Sequence, residues 1–301
     1  MRIRIEHLSH VFFPGTMLEK RALDDVSLTI EPGDFLALVG RTGSGKTTLA
    51  LHLNGLLIPS SGAVEVGDFR VTPETKKTGA LTGRVGMVFQ YPEHQLFEET
   101  VFDEIAFGLR HRAGDKKTSK KRSAVQKEQS DSIEMQVRRA ADKAGLDIDR
   151  FGHRSPFSLS SGEQRKTAIA SILALDPPVL VFDEPTQGLD IPSRKRAIEH
   201  ISHLNETGRT IIVITHDMEE ILEAASRVAV MERGKIILDT TPRELFQDRD
   251  CLMTVRPFLP DVTELLLRLK ERGWDIDPGE YRGDEALDRI LPHVDGAGGG
   301  A

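Results

Sequence analysis

DFLALVGRTGSGKTTL, residues 34–49, decides how the rest of this chain is read. Phe35 to Val39 is an unbroken apolar run, the pattern of a short parallel strand buried on both faces. Gly40-x-x-x-x-Gly45-Lys46-Thr47 follows at once. Glycines at Gly40, Gly43 and Gly45, with Arg41, Thr42 and Ser44 between them, let the backbone bend round a phosphate with its N–H groups turned inward. At this spacing Lys46 reaches the β- and γ-phosphates, and Thr47 offers a hydroxyl to Mg²⁺. Thr48 and Leu49 to Leu51 continue as a helix whose positive N-terminal end faces the anion. Strand, loop and helix together predict a nucleoside-triphosphate site.

The 301 residues are enough for a large domain with a sizeable core and an extension. A formal net charge of −7 argues against a general nucleic-acid binder, which carries a basic footprint. The single cysteine, Cys251, excludes an internal disulfide and any multi-cysteine metal centre, and fits a reducing compartment. No apolar run approaches the roughly 18–20 residues that span a bilayer. MRIRIEHLSH at the N-terminus alternates like a strand and lacks a signal-peptide core. The expectation is a cytoplasmic protein, soluble or peripheral to a membrane.

Residues 1–33 read as β-rich, alternating through RIRIEHLSHVFF and ALDDVSLTI before the turn Glu31-Pro32-Gly33. Ala63 to Val66 is a further short strand, and Val85 to Phe89 a buried one that ends at Gln90. From about Pro92 to Leu159 the pattern is helical and polar. Three more core strands are expected at Pro178–Phe182, Ile211–Thr215 and Arg227–Met231, alternating with helices as a parallel sheet requires. His111 to Gln129 carries seven Lys or Arg against two acids and no apolar periodicity, which predicts a solvated loop, with membrane headgroups as the alternative contact. Val262, Leu265, Leu266 and Leu269 are spaced for an amphipathic helix, and the tail DGAGGGA reads as disordered.

Val179-Leu-Val-Phe-Asp183-Glu184 is a second motif, an apolar strand ending in two acids. Asp183 suits Mg²⁺, usually held through water, and Glu184 suits the water that attacks a γ-phosphate. Leu159-Ser160-Ser161-Gly162-Glu163-Gln164 is a capped helix start, whose free N–H groups and serine hydroxyls make an anion site. In this order the motifs resemble the ATP-binding-cassette (ABC) ATPases, from about Met1 to Asp239. The resemblance implies an α/β P-loop NTPase fold: a RecA-like, mostly parallel sheet, an N-terminal antiparallel β-subdomain and an inserted helical subdomain at about 92–165. Residues 1–241 would form that domain and 242–301 a C-terminal extension. It also implies ATP and Mg²⁺ as cofactors, Gln90 as the Q-loop glutamine on Mg²⁺ and the attacking water, and Asp190 in a D-loop at a dimer interface. His216 becomes the switch histidine on the γ-phosphate, and Phe13 stacks on adenine, with Phe12 as its competitor. Ser160, Ser161, Gly162 and Glu163 would touch the nucleotide of a second ATPase paired head to tail, a homodimer or a heterodimer with a paralogue. The commonest form of that motif has glycine where Ser161 stands and glutamine where Glu163 stands.

VGMVFQYPEHQLFEETVFDEIAFG, residues 85–108, resembles the ATPases of energy-coupling factor (ECF) transporters. That branch implies uptake of a vitamin or transition-metal ion, driven from the cytoplasmic face of the membrane. Its partners would be a transmembrane coupling protein and, through it, a substrate-binding membrane protein, with no nucleic acid. Leu96, Phe97, Val101, Phe102, Ile105 and Phe107 are candidates for a groove that takes a partner helix, and Glu98, Glu99, Asp103 and Glu104 for its acidic flank. The alternatives are the ATPase of an ordinary ABC importer and, from another class, a soluble ABC-type ATPase of DNA repair or translation. Repair ATPases interrupt the cassette with long coiled coils and translation factors carry two cassettes, and neither feature is present here.

Overall fold

A computed structural model describes residues 1–75, 81, 83–112, 124–279 and 283–297. The chain forms two compact units, Met1–Ala80 with Glu184–Ala301, and Leu81–Asp183.

The first unit begins with β1 (Ile3–Phe12) and β2 (Lys20–Ile30), an antiparallel pair. Burial alternates along β1 until the register shifts between Ile5 and Leu8, where His7 takes a φ of 49°. One residue is inserted there, so Leu8 and His10 still face inward. β3 (Phe35–Val39) is buried at every position, as its uninterrupted apolar sequence predicts. It leads through the Gly40–Gly45 loop into α1 (Lys46–Leu53), and β4 (Ser61–Val66) and β5 (Phe69–Val71) complete an antiparallel sheet ordered β2-β1-β4-β5.

The second unit holds β6 (Val85–Val88), then α2 (Val101–Arg112), α3 (Ala124–Lys143), α4 (Ile148–Phe151), α5 (Ser161–Leu173) and β7 (Val179–Asp183). β6 and β7 pair in parallel, and α5 packs against α2 and α3. The basic segment is not simply a loop: His111 and Arg112 end α2, and Ala124 to Gln129 begin α3. Its centre, 113–123, lies outside the described residues.

Back in the first unit come α6 (Ile191–Glu206), β8 (Thr210–Thr215), α7 (Glu219–Leu222), β9 (Arg227–Glu232) and β10 (Lys235–Thr240). β3 lies between β8 and β9, parallel to both, and β10 runs antiparallel to β9. β5 and β10 are additions to the sequence reading. β10 is the return of a hairpin whose two turn residues, Arg233 and Gly234, both have positive φ (49° and 80°), the geometry that matches strand twist. The extension is α8 (Pro242–Gln247), α9 (Arg249–Val255), α10 (Asp261–Glu271) and α11 (Gly283–Ala297).

On α10 the packed stripe is Val262, Leu266 and Leu269, set against Trp274, Ile276, Ala286 and Ile290. Leu265 was expected on that stripe and is instead 49 % exposed, while Thr263 and Leu267 are buried. The helix packs on more than one side, which a single-stripe reading does not capture. The tail also departs from expectation: residues 295–297 belong to α11, and 298–301 lie outside the described residues.

His10 on β1 and His52 at the end of α1 are both buried, with ring centroids 4.7 Å apart in an edge-to-face arrangement. Among the described residues neither nitrogen of His52 has a hydrogen-bond partner. Burial, aided by the neighbouring His10, pushes the His52 imidazole down to about 4. The unfolded chain therefore takes up this proton near the ordinary value of 6.5 while the folded chain resists it. The stabilisation is intact above that value and is lost as pH falls from it toward 4, about 3 kcal/mol in all. Urea unfolding from pH 7 down to 4.5 should show wild type losing more stability than His52→Leu. Parallel curves would rule this linkage out.

Candidate active site

The phosphate loop is built from β3 outward. Gly40 leaves the strand so close to β9 that a Cβ would sit 2.3 Å from the Met231 carbonyl oxygen, and only glycine fits. Gly45 takes φ 108°, and a Cβ there would meet the Ala22 carbonyl at 2.6 Å. Gly234 in the β9–β10 turn donates its N–H to the Ser44 carbonyl at 2.9 Å, which ties the loop to that hairpin. Inside the loop Lys46 is 6 % exposed, and its Nζ donates to the carbonyls of Gly40 (2.5 Å) and Arg41 (3.2 Å). The Arg41 carbonyl also accepts the Ser44 N–H at 3.0 Å. Ser44 Oγ is buried without a hydrogen-bond partner among the described residues. A buried cation, an unpaired hydroxyl and the N-terminal end of α1, which has no acid in its first turn, fit a polyphosphate. Thr47 and Thr48 lie in that first turn, with Thr47 exposed. Arg41, Thr42 and Gly43 are the exposed crest of the loop.

A second group forms just after β8. Glu184 has a φ of 50° and donates its N–H to the Ile214 carbonyl at 2.8 Å. The left-handed backbone is costly for a residue with a side chain, so the fold imposes it. His216 Nδ1 lies 2.9 Å from both carboxylate oxygens of Glu184. The Glu184 side chain is 14 % exposed and the imidazole 56 %, so the ring is partly open to solvent while its Nδ1 is held. Glu184 and His216, expected at separate tasks, are joined by this contact. Asp190 caps α6 by accepting the Ser193 N–H at 2.9 Å, and hydrogen bonds from the Ser193 side chain and then its backbone hold the carboxyl below the ordinary range. Phe13 stands at the end of β1 with φ 51° and 63 % exposure, leaning on Phe12 at 6.4 Å, whereas Phe12 packs edge-on against His10 at 4.5 Å. Of the two rings, Phe13 is the more open to solvent.

In the second unit Gln90 follows β6, and Asp183, buried, closes β7. Ser160 caps α5 in a reciprocal box with Glu163. The Glu163 carboxylate accepts from the Ser160 N–H (2.9 Å) and hydroxyl (2.8 Å), and these bonds lower its own proton affinity. Ser161 and Gly162 are exposed in the first turn, and a Cβ on Gly162 would meet nothing within 4 Å. Serine in place of glycine at Ser161 leaves the helix start intact.

The expected partner groove is reduced by the structure. Leu96, Val101 and Ile105 are core, whereas Phe97 is 57 % exposed and packs edge-on against Phe107 at 4.8 Å. Glu104 is only 4 % exposed, and its carboxylate accepts the N–H groups of Phe97 (2.9 Å) and Glu98 (2.8 Å). It shapes the turn and faces no partner. Asp103 is bonded to Thr100 and paired with Arg110 at 2.7 Å. Glu99 is the exposed acid of the four.

A phosphate loop of this build, with a glutamate clamped by a histidine after the next parallel strand, defines a P-loop ATPase. The model of the ABC transporter family matches residues 23–187. The energy-coupling factor transporter ATP-binding protein EcfA2 of Clostridium tetani is 42 % identical over 97 % of this chain and 96 % of its own length. Its counterpart in Symbiobacterium thermophilum is 41 % identical over 96 % of each chain. Among solved structures, cbiO1 of Clostridium perfringens, part of the ABC transporter complex cbiONQ, superposes with a TM-score of 0.68 at 30 % identity, over 88 % of this chain and 98 % of that one. The chain belongs to the ABC transporter family, in its energy-coupling factor ATP-binding branch, and is an ATPase of that kind. Agreement with this branch over nearly the full length, extension included, favours it over an ordinary importer ATPase and over the repair or translation class. No helix among the described residues is long and apolar enough to cross a membrane.

Proposed function

We propose that this chain powers the uptake of a vitamin or transition-metal ion from the cytoplasmic face of the membrane. It would work beside a second ATPase and beneath a transmembrane coupling protein that holds a substrate-binding membrane protein. The observation that supports the hydrolytic part of the reading is the Glu184–His216 pair, directly after the strand-end Asp183, and the transport part rests on the near full-length similarity to the EcfA2 relatives. Glu184 takes the proton of the attacking water, and Lys46 and Ser44 hold the phosphates. Held at Nδ1 by a carboxylate, His216 keeps Nε2 for a phosphate oxygen. Gln90 supports the attacking water, Phe13 stacks on adenine, and Asp190 lies at the ATPase–ATPase interface. Thr47, Gln90 and Asp183 offer the hard oxygen donors that Mg²⁺ takes, and that ion would neutralise phosphate charge.

In the second ATPase's nucleotide, the γ-phosphate would meet the start of α5 from this chain, at Ser160, Ser161, Gly162 and Glu163. Closure on ATP and reopening after hydrolysis would move the face around Phe97 and Glu99, and with it the coupling protein. Co-purification from membranes tests this. The full chain should bring down a membrane coupling protein, and Glu99→Lys should lower its recovery about tenfold or more while basal hydrolysis persists. Normal assembly by both Glu98→Lys and Glu99→Lys would defeat the acidic-face account. Nucleic acid in place of membrane protein would defeat the transport reading itself.

A further inference from the structure

The extension touches the phosphate loop at one point. Arg41, on the exposed crest of the phosphate loop, lies with its guanidinium 6.0 Å from the centre of the Phe258 ring. A cation over an aromatic face at that range is attracted to it. Phe258 is held firmly. It is 8 % exposed and follows Leu252 and Val255, which are buried at 2 % and 0 %. Its neighbour Arg256 is gripped by Glu264 (3.0 and 3.1 Å) and Glu271 (2.8 Å) on α10. The other side of Arg41 faces the loop interior, where its carbonyl holds both the Ser44 N–H and the Lys46 ammonium. A continuous path runs from α10 through Arg256 and Phe258 to Arg41, and through the Arg41 backbone to Lys46.

We propose that Phe258 is a positioning residue for ATP binding: it pins Arg41, and through the Arg41 carbonyl it holds the loop and Lys46 in the shape that receives the phosphates. The extension thereby senses whether the loop is filled. This rests on the loop being the ATP site, so Lys46→Ala serves as the control for that reading.

The experiment measures ATP affinity by calorimetry on the full chain for Arg41→Met, Phe258→Leu, the double variant and Phe258→Tyr. Each of the first two should weaken binding about two- to fivefold. The double variant should be no weaker than either alone, because both remove one interaction, and Phe258→Tyr should bind like wild type. Losses that simply multiply, or a Phe258→Leu chain with wild-type affinity while Lys46→Ala fails to bind, would overturn the proposal. Should Phe258→Leu not fold, amide exchange over 252–259 decides: ATP should slow it in wild type and leave it unchanged in Arg41→Met. The same slowing in both would refute it.

Discussion

Glu184→Gln is expected to cut steady-state ATP hydrolysis by about a hundredfold to ten-thousandfold while leaving ATP affinity within about twofold. Glutamine keeps the shape of the side chain and one oxygen for His216 Nδ1, which in wild type lies 2.9 Å from both carboxylate oxygens. The backbone at φ 50° and its bond to Ile214 do not depend on the charge. Only the capacity to take a proton from water is lost. In the proposed function, binding rests on Lys46 and the loop, which the substitution does not touch. Phosphate release and equilibrium binding, measured on the same preparation, separate the two. A variant that retained more than a tenth of wild-type turnover would remove Glu184 from its role.

Lys46→Ala should act on the opposite quantity and weaken ATP binding by about thirtyfold or more. Lys46 is 6 % exposed, and removal of its ammonium leaves the carbonyls of Gly40 and Arg41 without that donor. It also takes away the buried charge that the phosphates would meet. Loss of a charged partner in a buried setting costs on the order of 2–5 kcal/mol. Calorimetry with ATP reads the effect directly, and an affinity within threefold of wild type would contradict the assignment.

The parts of this molecule that follow simple patterns are legible in its sequence. Phe35–Val39 and Ile211–Ile214 are apolar without a break and become strands buried throughout. Ser160 and Glu163 are spaced as a capping box and form one. β5 is too short, at three residues, to show an alternation, and β10 depends on the Arg233–Gly234 turn. Glu104 shows the limit of reading charge from a helix surface. Its carboxylate turns back to two amides that precede the helix, and nothing in the one-dimensional pattern separates it from Glu99. The His10–His52 contact and the Arg41–Phe258 contact join residues far apart in the chain, so neither has a local signal. Leu265 satisfies helical spacing and still faces solvent, because spacing gives a stripe but not the neighbours that cover it.

The most direct measurement is sedimentation of the Glu184→Gln chain, alone and with any second ATPase recovered with it from membranes, in the presence and absence of ATP. Hydrolysis would be blocked, so ATP should hold two ATPase chains together, as head-to-tail pairing through the start of α5 requires. Ser160→Arg, which fills that helix start, should leave each chain monomeric even with ATP bound. If saturating ATP left the Glu184→Gln chain monomeric in both settings, the pairing on which the transport account rests would be contradicted.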